Sequence, residues 1–172
     1  MKFDDKIGSI QQIITATNIG ILRRQAILKE LNLKKNQTII DIGCGGGHLV
    51  EEIAMCVGPS GKAIGVDPSD FQINTAKERC KHLSNVEFLC NAANDIDIED
   101  NSCDAVTFTQ TLEYIDNVDE ALHAAKRLQK PMSNFVNVST LWDFFGFHGP
   151  EKELNNMMHE IYRSQKHPML PT

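Results

Sequence analysis

The run Thr38 to Val50, TIIDIGCGGGHLV, constrains this chain more than any other segment: a short apolar strand, an acid, then four glycines in five positions ahead of a helix. A strand that turns sharply and lets its backbone touch a ligand needs residues without Cβ, and Gly43, Gly45, Gly46 and Gly47 supply them. The helix expected from His48 onward directs its free N–H groups back at the same turn, a setting for a polar or anionic ligand group. The alternative is a glycine-rich turn that holds no ligand.

Spacing decides which ligand. The dinucleotide fingerprint G-x-G-x-x-G wants glycines at 43, 45 and 48, and position 48 is His48, so the glycine that allows close helix packing is absent. A nicotinamide-dependent oxidoreductase is for that reason the less favoured alternative. The spacing that does stand is D-x-G-x-G-x-G, at Asp41, Gly43, Gly45 and Gly47, preceded by Ile39 and Ile40.

Around it, apolar periodicity alternates between strand and helix. Residues 9–33 suggest two helices broken near Asn18 and Gly20. Strand 39–43, helix 48–57, strand 62–66 and a helix over about 70–83 follow, with Ser69 and Gln72 at capping-box spacing. Then come strand 86–90, an acidic loop from Asn91, strand 104–109, a helix over about 117–129, strand 135–139 and a helix over about 150–164. Strands joined by helices of this length pair in parallel through right-handed crossovers, so the fold class is α/β with a doubly wound, mostly parallel sheet. At 172 residues the chain makes a single domain, with N-terminal helices in 1–35 and an α/β core in 36–172.

Such a sheet binds ligands beyond the carboxyl ends of its strands. If the ligand carries a ribose, an acid should end the second strand within reach of the two hydroxyls. Asp67 stands there, in AIGVDPSD, with Pro68 and Ser69 beside it. A helix cap is the alternative reading of the same aspartate.

The Asp41 to Gly47 motif resembles the first motif of class I S-adenosylmethionine-dependent methyltransferases. Leu112-Glu113-Tyr114-Ile115 and the later stretch Trp142 to Glu153 are similar to a small-molecule branch related to the ubiquinone and menaquinone type. The resemblance implies a Rossmann-like methyltransferase fold, S-adenosylmethionine as cofactor and methyl transfer to a small-molecule acceptor. It implies that Asp41 holds the cofactor's amino group, that Gly43, Cys44, Gly45 and Gly47 pass beneath it, and that Asp67, Pro68 and Ser69 meet the ribose and nucleoside. Ala92, Ala93, Thr109 and Gln110 complete the expected cofactor contacts. Acceptor-side candidates are Gln110, Glu113, Tyr114, Trp142 and His148, none assigned as catalytic base; Glu113 also reads as a solvated acid, and the others as packing or loop residues. No metal is expected, since a sulfonium carries its own activation.

Two departures stand out. Where the family has Gly-Asp-Ala after the third strand, this chain has Asn91-Ala92-Ala93. The family sheet also has seven strands, and only five are found here, so the sequence reads as a domain lacking its last two strands, with strand 135–139 as an exposed edge able to pair with a partner or a second copy. A cofactor-binding but inactive or regulatory protein, completed by a partner, is the alternative to an enzyme.

Composition excludes other classes. A net charge of −6 and a pI near 5.5 argue against a nucleic-acid binder. The basic pairs Arg23/Arg24, Lys34/Lys35 and Lys126/Arg127 read as solvated helix ends and faces. MKFDDKIGSI lacks signal-peptide character and no stretch reaches membrane-spanning length, so the cytoplasm is the expected compartment. Five cysteines without C-x-x-C spacing disfavour a disulfide framework or a structural zinc site, and Cys44 is more simply a small loop residue than a nucleophile.

Overall fold

A computed structural model describes residues 5–140 and, beyond them, residues 152, 153, 156, 157 and 160. Trp142, His148 and most of the helix expected over 150–164 lie outside the described residues.

Five strands, β1 (Thr38–Ile42), β2 (Lys62–Val66), β3 (Val86–Leu89), β4 (Cys103–Thr109) and β5 (Gln129–Val138), form one sheet in the order β3-β2-β1-β4-β5. Every neighbouring pair is parallel. The helices are α1 (Asp5–Ala16), α2 (Asn18–Leu31), α3 (His48–Val57), α4 (Asp70–Arg79) and α5 (Val118–Leu128), with a short 3₁₀ turn at Leu112–Tyr114.

Period-2 alternation sorts the strand residues onto two cores. Ile39, Ala63 and Ala105 face α2, α3 and α4, meeting Ile27, Leu31, Val50, Ile53 and Ile73. Ile40, Ile42, Ile64, Val66, Val106 and Phe108 face the opposite side, meeting Ala121, Ala125 and Leu128 of α5 and Ile96 of the acidic loop. A sheet covered on both faces explains why TIIDI and CDAVTFT read as nearly unbroken apolar runs. The doubly wound sheet is therefore as expected.

Strand order reverses between β2 and β4 on the two sides of β1, which makes the end of β1 the switch point where such sheets bind ligands. The glycine loop emerges there. It stays clamped to β2, with Gly43 N–H and Cys44 N–H both donating to Val66 O at 2.7 and 2.9 Å.

Several boundaries differ from the sequence reading. The first helical break falls at Thr17, whose hydroxyl caps α2, and Gly20 lies inside α2, where a Cβ would collide with the Thr15 carbonyl. Helix α4 stops at Arg79 instead of about 83, because Cys80 caps it and a turn follows with Leu83 N–H on Cys80 O. Strand β5 begins at Gln129 instead of 135; a register shift opposite Cys103 to Ala105 absorbs Pro131 and Met132, whose φ is 61°, as a bulge within the strand.

The basic pairs are only partly solvated. Arg24 is buried, its Nε bound to Glu52 at 2.7 Å and its Nη1 donating to Thr15 O. Arg127 pins the acidic loop by donating to Ile96 O, Ile98 O and Asp100. Arg24 satisfies a carbonyl in the last turn of α1, and Arg127 satisfies carbonyls that the acidic loop's irregular backbone leaves open. Among the described residues, no helix is long and apolar enough to cross a membrane, and no strand pairs with the outer side of β5.

Candidate functional site

A cleft of about 900 Å³ opens above the carboxyl ends of β1, β2 and β4. Its walls include Asp41, Gly43, Cys44, Gly45, Asp67, Pro68, Ser69, Ala92, Ala93, Thr109 and Gln110. Eleven of the twelve residues expected at a cofactor thus share one cavity, drawn from four separate chain segments. Gly47 is the exception and serves another purpose. Its φ is 78°, it caps α3, and a Cβ there would stand 2.8 Å from the Ala76 Cβ, so this glycine lets α3 and α4 close together. The close-packing glycine of a dinucleotide loop is thus replaced here by one a single position earlier.

Asp41 is the most exposed to consequence of the cleft's acids because it is buried. Its side chain, on the α3 face of β1, is 2% accessible, and Oδ1 has no hydrogen-bond partner. Burial, and then the nearby Asp67 charge, push its pKa up to about 7. A buried, unpartnered carboxylate oxygen in the wall of a cleft calls for a donor, and a cationic donor would also restore the ionised form.

Asp67 is already engaged. Its Oδ2 accepts from Gly45 N–H and its Oδ1 from Ser69 N–H, each at 3.0 Å. Burial raises its pKa and these two bonds oppose the rise. Each oxygen keeps a further lone pair for a ligand hydroxyl. Ser69 caps α4 by accepting from Gln72 N–H at 3.4 Å, but the reciprocal half of the capping box is missing, since the Gln72 side chain turns away.

That side chain builds a feature the sequence reading missed. Gln72 is buried and accepts from Gln12 Nε2 while donating to Gln11 Oε1, both at 2.8 Å. Arg79 donates to Gly46 O at 2.8 Å and to Gln12 Oε1 at 3.3 Å. Helix α1 is thereby latched over the glycine loop, and a Cβ on Gly46 would overlap the Gln12 amide. The only trace in the sequence is the Gln11-Gln12 pair set among Ile10, Ile13 and Ile14; nothing there says which face turns inward.

The remaining groups are inert or acceptor-facing. Cys44 is buried and its thiol is held well above its ordinary pKa by burial and the two aspartates, which suppresses the nucleophilic thiolate. Burial, then Arg79 and Arg24, lower the His48 pKa to about 4, so its imidazole on the cleft wall is neutral at pH 7. Gln110 adopts φ 52° where the chain leaves β4, its N–H on Val138 O and its Oε1 accepting from Thr140 at 2.7 Å. Tyr114 lines the cleft; burial and Glu113 raise its phenol pKa. Glu113 itself is fully buried behind the wall, with Oε1 3.4 Å from Thr140 N–H and Oε2 unpartnered, which overturns its reading as a solvated acid. In the third-strand loop, Asn94 Nδ2 is bound to Glu120 at 2.8 Å, whereas the Asn91, Ala92 and Ala93 wall carries no acid.

Comparison with known proteins bears on this cleft. A family model described as a methyltransferase domain matches residues 33–167. A demethylmenaquinone methyltransferase of Staphylococcus carnosus is 32% identical over 117 residues, which are 68% of this chain and 48% of that protein. An uncharacterized 37.1 kDa protein in transposon TN4556 of Streptomyces fradiae is 26% identical over 151 residues, covering 88% of this chain and 44% of the relative. This chain thus spans about half the length of these curated relatives. The crystal structure of a SAM-dependent methyltransferase from Aquifex aeolicus superposes with a TM-score of 0.75 at 27% identity, over 88% of this chain and 80% of that one. A Methanococcus maripaludis structure at 20% identity and TM-score 0.69, covering 96% of this chain and 74% of its own, shares the fold.

Proposed function

This chain belongs to the methyltransferase domain family, and from that premise we propose that it binds S-adenosylmethionine and transfers its methyl group to a small-molecule acceptor. The observation that carries the reading is the unpartnered Oδ1 of buried Asp41, a residue in the wall of a cleft whose next acid, Asp67, follows the adjoining strand. The cofactor offers a cationic amino group for the first and a vicinal diol for the second, so the donor set fits.

In this reading Asp41 takes the ammonium, and gives up its proton as the cation arrives. Asp67 accepts from the ribose hydroxyls while fixing Gly45 and Ser69. Ala92 and Ala93 offer backbone groups to the adenine edge. When bound, the cofactor supplies an electrophilic methyl on a sulfonium. The chain's task is then to align the acceptor and exclude water, for which α1 and its glutamine latch form a cover and Gln110 and Tyr114 a polar wall.

Calorimetric titration with S-adenosylhomocysteine, with NAD and NADP as controls, tests the cofactor. Binding of S-adenosylhomocysteine without binding of NAD or NADP supports the reading; no binding of S-adenosylhomocysteine ends it. A methyl-release assay over a panel of small acceptors, including quinol-type compounds because a relative is a demethylmenaquinone methyltransferase, tests turnover.

The outer edge of β5 supports a second reading alongside the first, that the protein pairs edge to edge with a second copy. Phe135 is 42% exposed and packs its other side on Phe108 at 5.9 Å, while Met132 is fully exposed, so the edge has little charge to repel another strand. Light scattering that finds only monomer at high protein concentration would remove this reading.

A further inference from the structure

We propose that Thr107, in the middle of β4, is a positioning residue for Asp41: its buried hydroxyl donates to the ionised carboxylate and fixes it for the ligand's cationic group. The inference rests on the methyltransferase reading of the cleft. Sheet register singles out the pair. Residues in register on parallel strands share a face, and Asp41 is flanked by Gly65 of β2 and Thr107 of β4. Gly65 has no side chain, and the space beside it is taken by the Phe88 ring and the Cys44 thiol, both within 3 Å of where a Cβ would stand. That thiol is spent on Gly45 O at 3.5 Å. Thr107 in turn has Asp41 on one side and Val136 of β5 on the other. For each of the two residues, the hydrogen-bonding side chain next in register is therefore the other.

Burial gives the pair its consequence. Thr107 is fully buried and Asp41 nearly so, and neither Thr107 Oγ1 nor Asp41 Oδ1 has a hydrogen-bond partner among the described residues. An unpaired polar atom in such a place is costly, and two of them stand on adjacent strands of one face. Neighbouring strands lie about 4.8 Å apart, so side-chain rotation alone brings hydroxyl and carboxylate into bonding distance. A threonine hydroxyl can donate, and its bond to an ionised oxygen is about twice as strong as to a neutral one. Thr107 thus favours the charged form that a cation requires, against the burial and the Asp67 charge that oppose it. The other titratable groups near Asp41 are left in place by any change at Thr107. Asp67 and Cys44 interact with Asp41 directly, while Arg23 and Arg24 of α2, His48 of α3, Asp70 of α4 and Tyr114 stand elsewhere on the cleft wall.

Thr107→Val keeps the shape and removes the hydroxyl. Wild type and T107V are titrated by calorimetry, across a range of pH, with S-adenosylhomocysteine and with 5′-methylthioadenosine, which has the nucleoside without the amino-acid end. T107V should bind S-adenosylhomocysteine at least about 10-fold more weakly at neutral pH and bind methylthioadenosine as wild type does. The pH midpoint of S-adenosylhomocysteine binding should move upward by about one pH unit. The pair T107S and T107A, which differ by the hydroxyl alone, repeats the comparison if valine disturbs the strand: serine keeps the wild-type midpoint and alanine loses it. Wild-type affinity and midpoint in the variants without the hydroxyl overturn the proposal. Equal weakening of both ligands also overturns it, since that marks a packing role. If the wild type binds no adenosyl ligand, the methyltransferase reading fails instead, and carbon NMR titration of the Asp41 carboxyl in the free protein decides the pair. A higher midpoint in T107V then supports the contact, and equal midpoints end it.

Discussion

Asp67 reaches across from the end of β2 to hold the backbone of Gly45, Oδ2 to N–H at 3.0 Å, so the residue expected to read a ribose also shapes the loop beneath it. Its second oxygen fixes Ser69, the cap of α4. Asp67→Ala should therefore weaken S-adenosylhomocysteine by about 1–3 kcal/mol and also lower the melting temperature of the ligand-free protein, because two charge-assisted backbone bonds are lost. Titration and thermal melts read the two effects. Unchanged affinity together with a lowered melting temperature would show that Asp67 is a structural clamp alone.

Asp41 should make both stability and binding depend on pH. Its folded pKa of about 7 lies above the unfolded value of 3.8, so the folded state holds a proton that the unfolded state releases. Stability from this group is fully present below 3.8 and is lost as pH rises through about 7. Asp41→Asn removes the titration, so its melting temperature relative to wild type should climb between pH 5 and pH 8. A cationic ligand group favours the ionised carboxylate, so wild-type affinity for S-adenosylhomocysteine should fall below about pH 7, with proton release measurable by calorimetry in buffers of different ionisation heat. A flat pH profile would exclude Asp41 as the ammonium partner.

The parts of the site that sequence made legible are those written in contiguous residues. The loop from Asp41 to Gly47, the acid at Asp67 and the parallel α/β order all depend on local spacing; the parallel order is as expected, and Asp41 to Gly46 share a cleft with Asp67, while Gly47 packs away from it. What escaped depends on pairs far apart in the chain. Gln11 and Gln12 meet Gln72 across about sixty residues, and Arg127 meets Ile96 across 31. Polar side chains that satisfy distant backbone or amide groups have the same composition as solvated ones, so Arg24 and Glu113 read as surface residues until their burial is seen. The start of β5 was hidden for a different reason: Pro131 and a left-handed Met132 have the signature of a turn, and only strand pairing reveals a bulge.

Adjacent glycines should respond differently to a single methyl group. At Gly47, alanine must adopt φ 78° and meets Ala76 Cβ at 2.8 Å and Cα at 3.1 Å, neither able to swing away. Gly47→Ala should cost about 2–4 kcal/mol of stability, from left-handed strain plus overpacking. At Gly46 the obstacle is the far end of the flexible Gln12 side chain, so Gly46→Ala should melt closer to wild type and instead loosen α1. Chemical denaturation orders the two, and equal losses would contradict the packing assigned to Gly47.

The glutamine latch predicts a local effect without a global one. Gln72 is buried and holds α1 with two polar groups, an amide NH₂ to Gln11 and a carbonyl to Gln12, beside the bonds from Arg79 to Gln12 and from Arg24 to Thr15 O. Several of α1's isoleucines face solvent, with Ile10 49%, Ile13 70% and Ile14 51% exposed, so little apolar burial holds the helix down when these bonds go. Gln72→Ala should cost about 1–2 kcal/mol, felt chiefly as docking of α1, since Gln11 and Gln12 regain water. Amide hydrogen exchange should accelerate across residues 5–16 while β1 and β4, which sit under both cores, keep wild-type protection. If S-adenosylhomocysteine lies beneath α1, its dissociation rate should rise in the same variant. Uniform loss of protection through the sheet would mean that Gln72 supports the core and is not a latch.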